Sequence, residues 1–204
     1  MKITISATSQ ILGESVAVYS AQILNRAIAK HDSARLILST GASQIETLTS
    51  LVTQSVDWRK VDTIAALTRA IRRAPIDLAL MGIGENAHLT FNDPPADFAT
   101  QEAYIVVSLD DACKRQQVRE GWFAALEDVT SRAISMTVHQ IMQSAAIVSA
   151  VPFKVKAQAV KSTLEGDVST AVPATKLREH PDVTLFLDRD SASLVDERVL
   201  TLLS

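Results

Sequence analysis

The chain has 204 residues, of which 47% are hydrophobic and 21% charged, and its formal net charge is −3. That balance excludes a disordered chain and leaves length for one globular domain, residues 1–204, with a sizeable core. The mild acidity, with no basic tract, argues against nucleic acid and anionic membranes as partners. A single cysteine, Cys113, rules out an internal disulfide framework and fits a reducing compartment. There is no 18-residue apolar run, and the first residues lack a leader's basic region, apolar core and cleavage site. The expectation is a soluble, cytoplasmic domain.

Residues 2–6 alternate like a short edge strand. Residues 10–30 then carry Ile11, Val16, Tyr19, Ile23, Ala27 and Ile28 close to helical spacing, with Ser9 as candidate N-cap. His31 falls in the break after this helix and reads as a solvated end residue. Residues 35–38 form the first convincing buried strand, followed by Ser39, Thr40, Gly41, Ala42 and Ser43 and a helix over 44–54. A hydroxyl-rich turn between a strand and a helix can offer amides and Oγ atoms to a phosphate, although it also reads as a simply capped helix. Val56, Trp58 and Val61 read as packing residues. Residues 63–73 are patterned as an amphipathic helix with Ile64, Leu67 and Ile71 inward and Arg69, Arg72 and Arg73 outward.

The centre of the chain is residues 75–97. Residues 76–80 are a short, mostly apolar run preceded by Pro75, as in a strand buried in a parallel sheet. Gly82 and Gly84 then open a turn carrying Glu85, Asn86 and His88, followed by Asp93 five residues later. A Gly-rich turn at the carboxyl end of a sheet strand is where ligands bind in open α/β folds. A carboxylate beside an imidazole fixes its tautomer and raises its basicity, as a proton shuttle requires, although a surface turn with a solvated His fits equally well locally.

Further on, residues 104–109 read as a strand and are followed by a polar helix with Arg115, Gln116, Gln117 and Arg119. Residues 133–138 are strand-like, 139–143 a short helix or turn, and 145–150 a further buried strand. A helix over 154–164 ends at Glu165 and Gly166; residues 184–187 are the last strand and 192–203 a closing helix. His139 and His180 read as structural or exposed. The alternation of strands and helices predicts one doubly wound α/β domain, with a mostly parallel sheet that includes residues 36–38, 76–80, 104–107 and 147–150 and helices on both faces. No His/Cys/Asp cluster has metal-ligand spacing, so neither a metal nor a cofactor is expected.

Gly82-Ile83-Gly84-Glu85-Asn86-Ala87-His88-Leu89-Thr90-Phe91-Asn92-Asp93-Pro94 resembles the G-x-G-x-D-G-H-x-A-F-N-E-P signature of glucosamine-6-phosphate deaminases. These share a Rossmann-like sugar-phosphate isomerase fold with the 6-phosphogluconolactonases, which lack F-N-E-P. The resemblance implies His88 as the ring-opening group with Asp93 as its partner, and a site in which Glu85 and Asn86 also belong. It also implies that residues 39–43 correspond to the family's T-G-G-[ST]-P phosphate loop, with Ala42 and Gln44 as departures. Lys156 matches the phosphate lysine by its distance to Glu165 and Gly166, while Arg119 and Arg115 compete for the phosphate arginine. The implied ligand is a phosphorylated amino sugar or sugar, and homo-oligomerisation stays open.

Three departures qualify the implied chemistry. The family's Asp-Glu-Tyr segment, whose Asp moves the proton between C2 and C1, occurs nowhere in this chain. Asn86 stands where the signature has Asp, and an amide is no proton acceptor at neutral pH. Ala87 replaces a glycine, which matters if the backbone there needs positive φ. The expectations are a deaminase/isomerase-like enzyme or, alternatively, a sugar-phosphate-binding module with impaired catalysis; a 6-phosphogluconolactonase is disfavoured by Phe91-Asn92-Asp93-Pro94.

Overall fold

A computed structural model describes residues 1–38, 44–63, 71 and 74–203. Its main sheet has six strands, all parallel: β1 (Lys2–Ser6), β2 (Ala34–Leu38), β3 (Val61–Thr63), β4 (Leu78–Met81), β7 (Ala146–Val151) and β8 (Val183–Asp188), in the order β1-β8-β7-β4-β2-β3. The central strand β4 pairs with β2 (Leu36↔Leu78, Leu38↔Leu80) on one side and with β7 (Leu78↔Ala146, Met81↔Ser149) on the other. All four residues of β4 are buried.

The two-residue period of a strand explains why. Leu36, Leu78, Leu80, Val148 and Phe186 pack on one face against Leu12, Val16, Ala17 and Leu24 of α1 (Ser9–His31) and Leu51 of α2 (Ile45–Leu51). Ala79, Met81, Ile147, Leu185 and Leu187 point to the other face, towards Val138 and Ile141 of α4 (Val138–Ile141), Ala159, Val160 and Leu164 of α5 (Ala157–Glu165), and Leu177 in the 3₁₀ segment Pro173–Glu179. Each fully buried leucine contributes about 1.5–3 kcal/mol, so β4 is firmly anchored from both sides. Helices therefore cover both faces of the sheet, as the alternating pattern predicts.

Several boundaries differ. Residues 104–107 are not in the parallel sheet: β5 (Tyr104–Ser108) pairs antiparallel with β6 (Arg132–Met136) in a separate two-stranded ribbon. The outward Val106↔Ile134 pair is exposed, whereas β4, β7 and β8 of the main sheet are buried along their whole length. The ribbon and α3 (Asp111–Arg119) enclose a small core of their own, Leu109, Cys113 and Val129, with Phe91, Val118 and Phe123 against it. Thr8, not Ser9, caps α1, its side chain accepting from the Ile11 amide. The closing helix is only α6 (Glu197–Leu203), because Ser191 and Asp188 close a hydrogen-bonded turn ahead of it. Trp58 sits on a 3₁₀ turn, Trp58–Lys60, and is 36% exposed rather than packed. His180 is buried and structural: its Nε2 meets the Ser144 carbonyl at 2.8 Å and its Nδ1 accepts from the Asp182 amide. Of the amphipathic helix expected over 63–73, Ile71 is helical and buried, Thr63 ends β3, and the rest lies outside the described residues, as does the turn of residues 39–43.

Candidate functional site

The strand order brings chemistry together at one sheet edge. The loop after β4 carries the Gly-rich motif, the neighbouring β7 leads to Lys156, and β2 on the other side leads to residues 39–43. In a parallel sheet these carboxyl ends open on the same crevice.

The motif loop is a tight turn closed by the Gly84 amide donating to the His88 carbonyl and the Ala87 amide donating to the Gly84 carbonyl. The His88 ring lies directly over Gly84: a Cβ there would meet three ring atoms at 2.4–2.5 Å, so only glycine admits the imidazole in this position. Ala87 has φ 63, the left-handed conformation for which the deaminase signature uses glycine. Thr90 has φ 54, costly for a β-branched residue, and is held by its Oγ1 donating to the Met136 carbonyl at 3.0 Å.

His88 Nδ1 lies 3.0 Å from Asp93 Oδ1, and both side chains are about nine-tenths buried, at 12% and 9% exposed. Asn86 ties the pair together: its Nδ2 donates to Asp93 Oδ1 at 3.0 Å while its Oδ1 accepts from the His88 backbone amide at 3.2 Å. Burial pushes the Asp93 carboxyl up, but the His88 imidazole and the Asn86 amide outweigh it and hold Asp93 below its ordinary value. Asp93 is therefore a carboxylate at neutral pH, and with Nδ1 facing it, Nε2 is the ring nitrogen left to serve a ligand.

Asn92 fastens this loop to the ribbon. Its buried amide donates to the Leu89 carbonyl at 2.7 Å and the Met136 carbonyl at 2.8 Å. Asn92→Ala removes both of these hydrogen bonds and a buried side chain from the junction of loop and ribbon, and the expected loss is about 2–4 kcal/mol of folding stability. Urea unfolding with an unchanged m-value checks this; a midpoint equal to that of the unmutated chain would contradict it.

A cavity of about 420 Å³ opens between the sheet's carboxyl edge and the ribbon–α3 unit. His88 and Thr90 border it from the motif loop, Tyr104 and Ser135 from the ribbon, and Cys113, Gln116 and Gln117 from α3, with Glu120 and Trp122 just beyond that helix. Burial first, and then the Asp93 carboxylate, push the Cys113 thiol up to about 12, so it is no nucleophile. A larger hollow of about 700 Å³ lies between β1, β8 and α1, remote from this chemistry.

Lys156 ends the 3₁₀ turn Lys154–Lys156 at the start of α5 and is only 5% exposed. Burial pushes its ammonium below the ordinary lysine value, against the pull of Glu85 and Glu120. Arg119 pairs with Glu85 and also acts on Lys156 through space, so of the two competing arginines it is the one tied to this group, although both are exposed. Glu85 thus turns to Arg119 rather than to His88. Sequence reasoning missed Glu120 and Cys113, since nothing in a polar helix pattern says which of its faces meets the cavity. Among the described residues no group of three His, Cys, Asp or Glu is placed to hold a metal, and no helix is long and apolar enough to cross a membrane.

No protein-family model matches the chain. The glucosamine-6-phosphate deaminase of Oenococcus oeni is 40% identical over 128 residues, 63% of this chain and 52% of that protein. Those of Thermoanaerobacter pseudethanolicus (39% over 125 residues, 61% and 48%) and Streptococcus pneumoniae (37% over 123 residues, 60% and 51%) are similar in the same way. The chain spans about half the length of these curated relatives. Among solved structures, a monomeric glucosamine-6-phosphate deaminase superposes with a TM-score of 0.82 at 24% identity, covering 95% of this chain and 100% of that one. A 6-phosphogluconolactonase from Shewanella baltica gives 0.74 at 14% identity, covering 92% and 97%. The chain has the α/β fold these two groups of enzymes share, and its sequence is similar to that of the deaminases.

Proposed function

We propose that this chain binds a phosphorylated amino sugar in the cavity beside His88 and acts on it as a deaminase-type isomerase, in a reducing cytoplasm that suits its single buried thiol. The observation that carries this reading is the buried His88–Asp93 pair at the carboxyl end of β4. His88 Nε2 moves the proton between the C1 hydroxyl and the ring oxygen as the C1–O5 bond breaks, while Asp93 holds the imidazole's tautomer. Transfer of the C2 proton to C1 then gives an imine at C2, and water releases ammonia and the ketose phosphate. Lys156 and Arg119 supply positive charge for the phosphate, with residues 39–43 completing that subsite. The lactonase reading is weaker, because the sequence relatives are deaminases and Phe91-Asn92-Asp93-Pro94 is their form of the motif.

One observation favours the second reading, a binding module without turnover. Asn86 is engaged at both ends by His88 and Asp93 and has no basic atom, so the C2 proton has no acceptor at that position. Calorimetry with glucosamine 6-phosphate, run beside a coupled ammonia assay, separates the two. Binding with ammonia release is expected for the enzyme, binding with none marks the module, and no binding overturns both.

A further inference from the structure

Glu120 borders the cavity that His88 borders, and it is the one carboxylate among the described residues lining it. Both its oxygens are held by neutral donors, Oε1 by Gln116 Nε2 at 2.8 Å and Oε2 by Trp122 Nε1 at 3.2 Å. These bonds pin the carboxylate without neutralising it, and among the described residues no cation lies within ion-pair distance. Glu120 is also the C-cap residue of α3, at the end of the helix where the dipole disfavours negative charge. Near it stands Lys156, buried and likewise without an ion pair among the described residues, while their neighbours Arg119 and Glu85 satisfy each other. This corner of the molecule thus offers one positive and one negative group that act on each other through space without forming an ion pair.

We infer that Glu120 is a specificity-determining residue that receives the ammonium group of the ligand, so that Glu120 and Lys156 together select a phosphate monoester carrying an amine over a sugar phosphate without one. The inference rests on the function proposed above and names what that site discriminates. An ammonium donating to a pinned carboxylate makes a charge-assisted hydrogen bond, and a hydroxyl at the same carbon makes only a weaker one.

The test is calorimetry of glucosamine 6-phosphate, glucose 6-phosphate and inorganic phosphate on the unmutated chain and on Glu120→Gln. The expected result is that the unmutated chain prefers the amino sugar by about tenfold or more, the scale of a charge-assisted bond. Glu120→Gln binds the two sugars within about twofold of each other, while an unfolding midpoint equal to that of the unmutated chain and retained binding of inorganic phosphate show that the fold and the phosphate subsite persist. Glu120→Asp, which keeps the charge on a shorter arm, restores part of the preference. A preference undiminished in Glu120→Gln, or equal binding of both sugars by the unmutated chain, overturns this inference and leaves the proposed function standing. Failure of the unmutated chain to bind either sugar phosphate overturns both.

Discussion

Replacing His88 with glutamine lowers kcat for ammonia release from glucosamine 6-phosphate by about 10²–10⁴-fold, the usual contribution of a positioned acid–base group, while KM changes less. Glutamine keeps polar atoms near the imidazole's place over Gly84 and can still bond to Asp93, so the fold and most ground-state contacts persist. What it lacks is a nitrogen that takes up and gives back a proton near neutral pH. Asp93→Asn is expected to fall short of this loss, since Asp93 acts through His88 rather than on the ligand. A coupled ammonia assay over a range of substrate concentrations reads both parameters. Turnover that survives His88→Gln would remove the ring-opening mechanism. If the unmutated chain binds the sugar phosphate and releases no ammonia, the variant should bind within a few-fold of it.

The parts of this molecule that could be read in its sequence are those where local pattern and burial agree. Leu78–Met81 is apolar throughout because both faces of β4 are covered, and the run with Pro75 before it and Gly82 after it reads as a buried strand. Tyr104–Ser108 carries the same kind of run yet forms a half-exposed ribbon, because an apolar run does not record how many layers will cover it. His88 and Asp93 were legible as a pair from the glycines and prolines around them, and the left-handed φ of Ala87 from the glycine it replaces. The role of Asn86 was legible only in its negative half: an amide cannot be the base, but its bridge between Asp93 and the His88 amide appears only once the turn is folded. Glu120 could not be found in the same way, since the face that α3 turns to the cavity is set by how Cys113, Val118 and Leu109 pack against the ribbon, a non-local contact. Lys156 was legible by its distance to Glu165 and Gly166, but its burial comes from tertiary packing at the start of α5.

Lys156→Ala is expected to weaken binding of a phosphorylated sugar by about 1.5–3 kcal/mol, roughly ten- to a hundredfold in Kd, the scale of a charge-assisted hydrogen bond. The reasoning starts from a cost: burial disfavours the Lys156 ammonium, and Glu85 and Glu120 offset this only in part. A phosphate repays that cost, because its charge acts on an ammonium already stripped of water and held in place. The same linkage fixes the pH dependence. Binding needs the protonated ammonium, so affinity is present below the Lys156 pKa and lost as pH rises through it, at a lower pH than for an ordinary lysine. On the acid side affinity falls once the phosphate dianion takes up a proton and becomes the monoanion, near a pKa of roughly 6. Calorimetry of glucose 6-phosphate, which has no amine of its own to titrate, should therefore show a plateau with two flanks, and Lys156→Ala should remove the alkaline one while leaving the acidic one. Unchanged affinity in Lys156→Ala, or an alkaline flank that persists without the ammonium, would place the phosphate elsewhere.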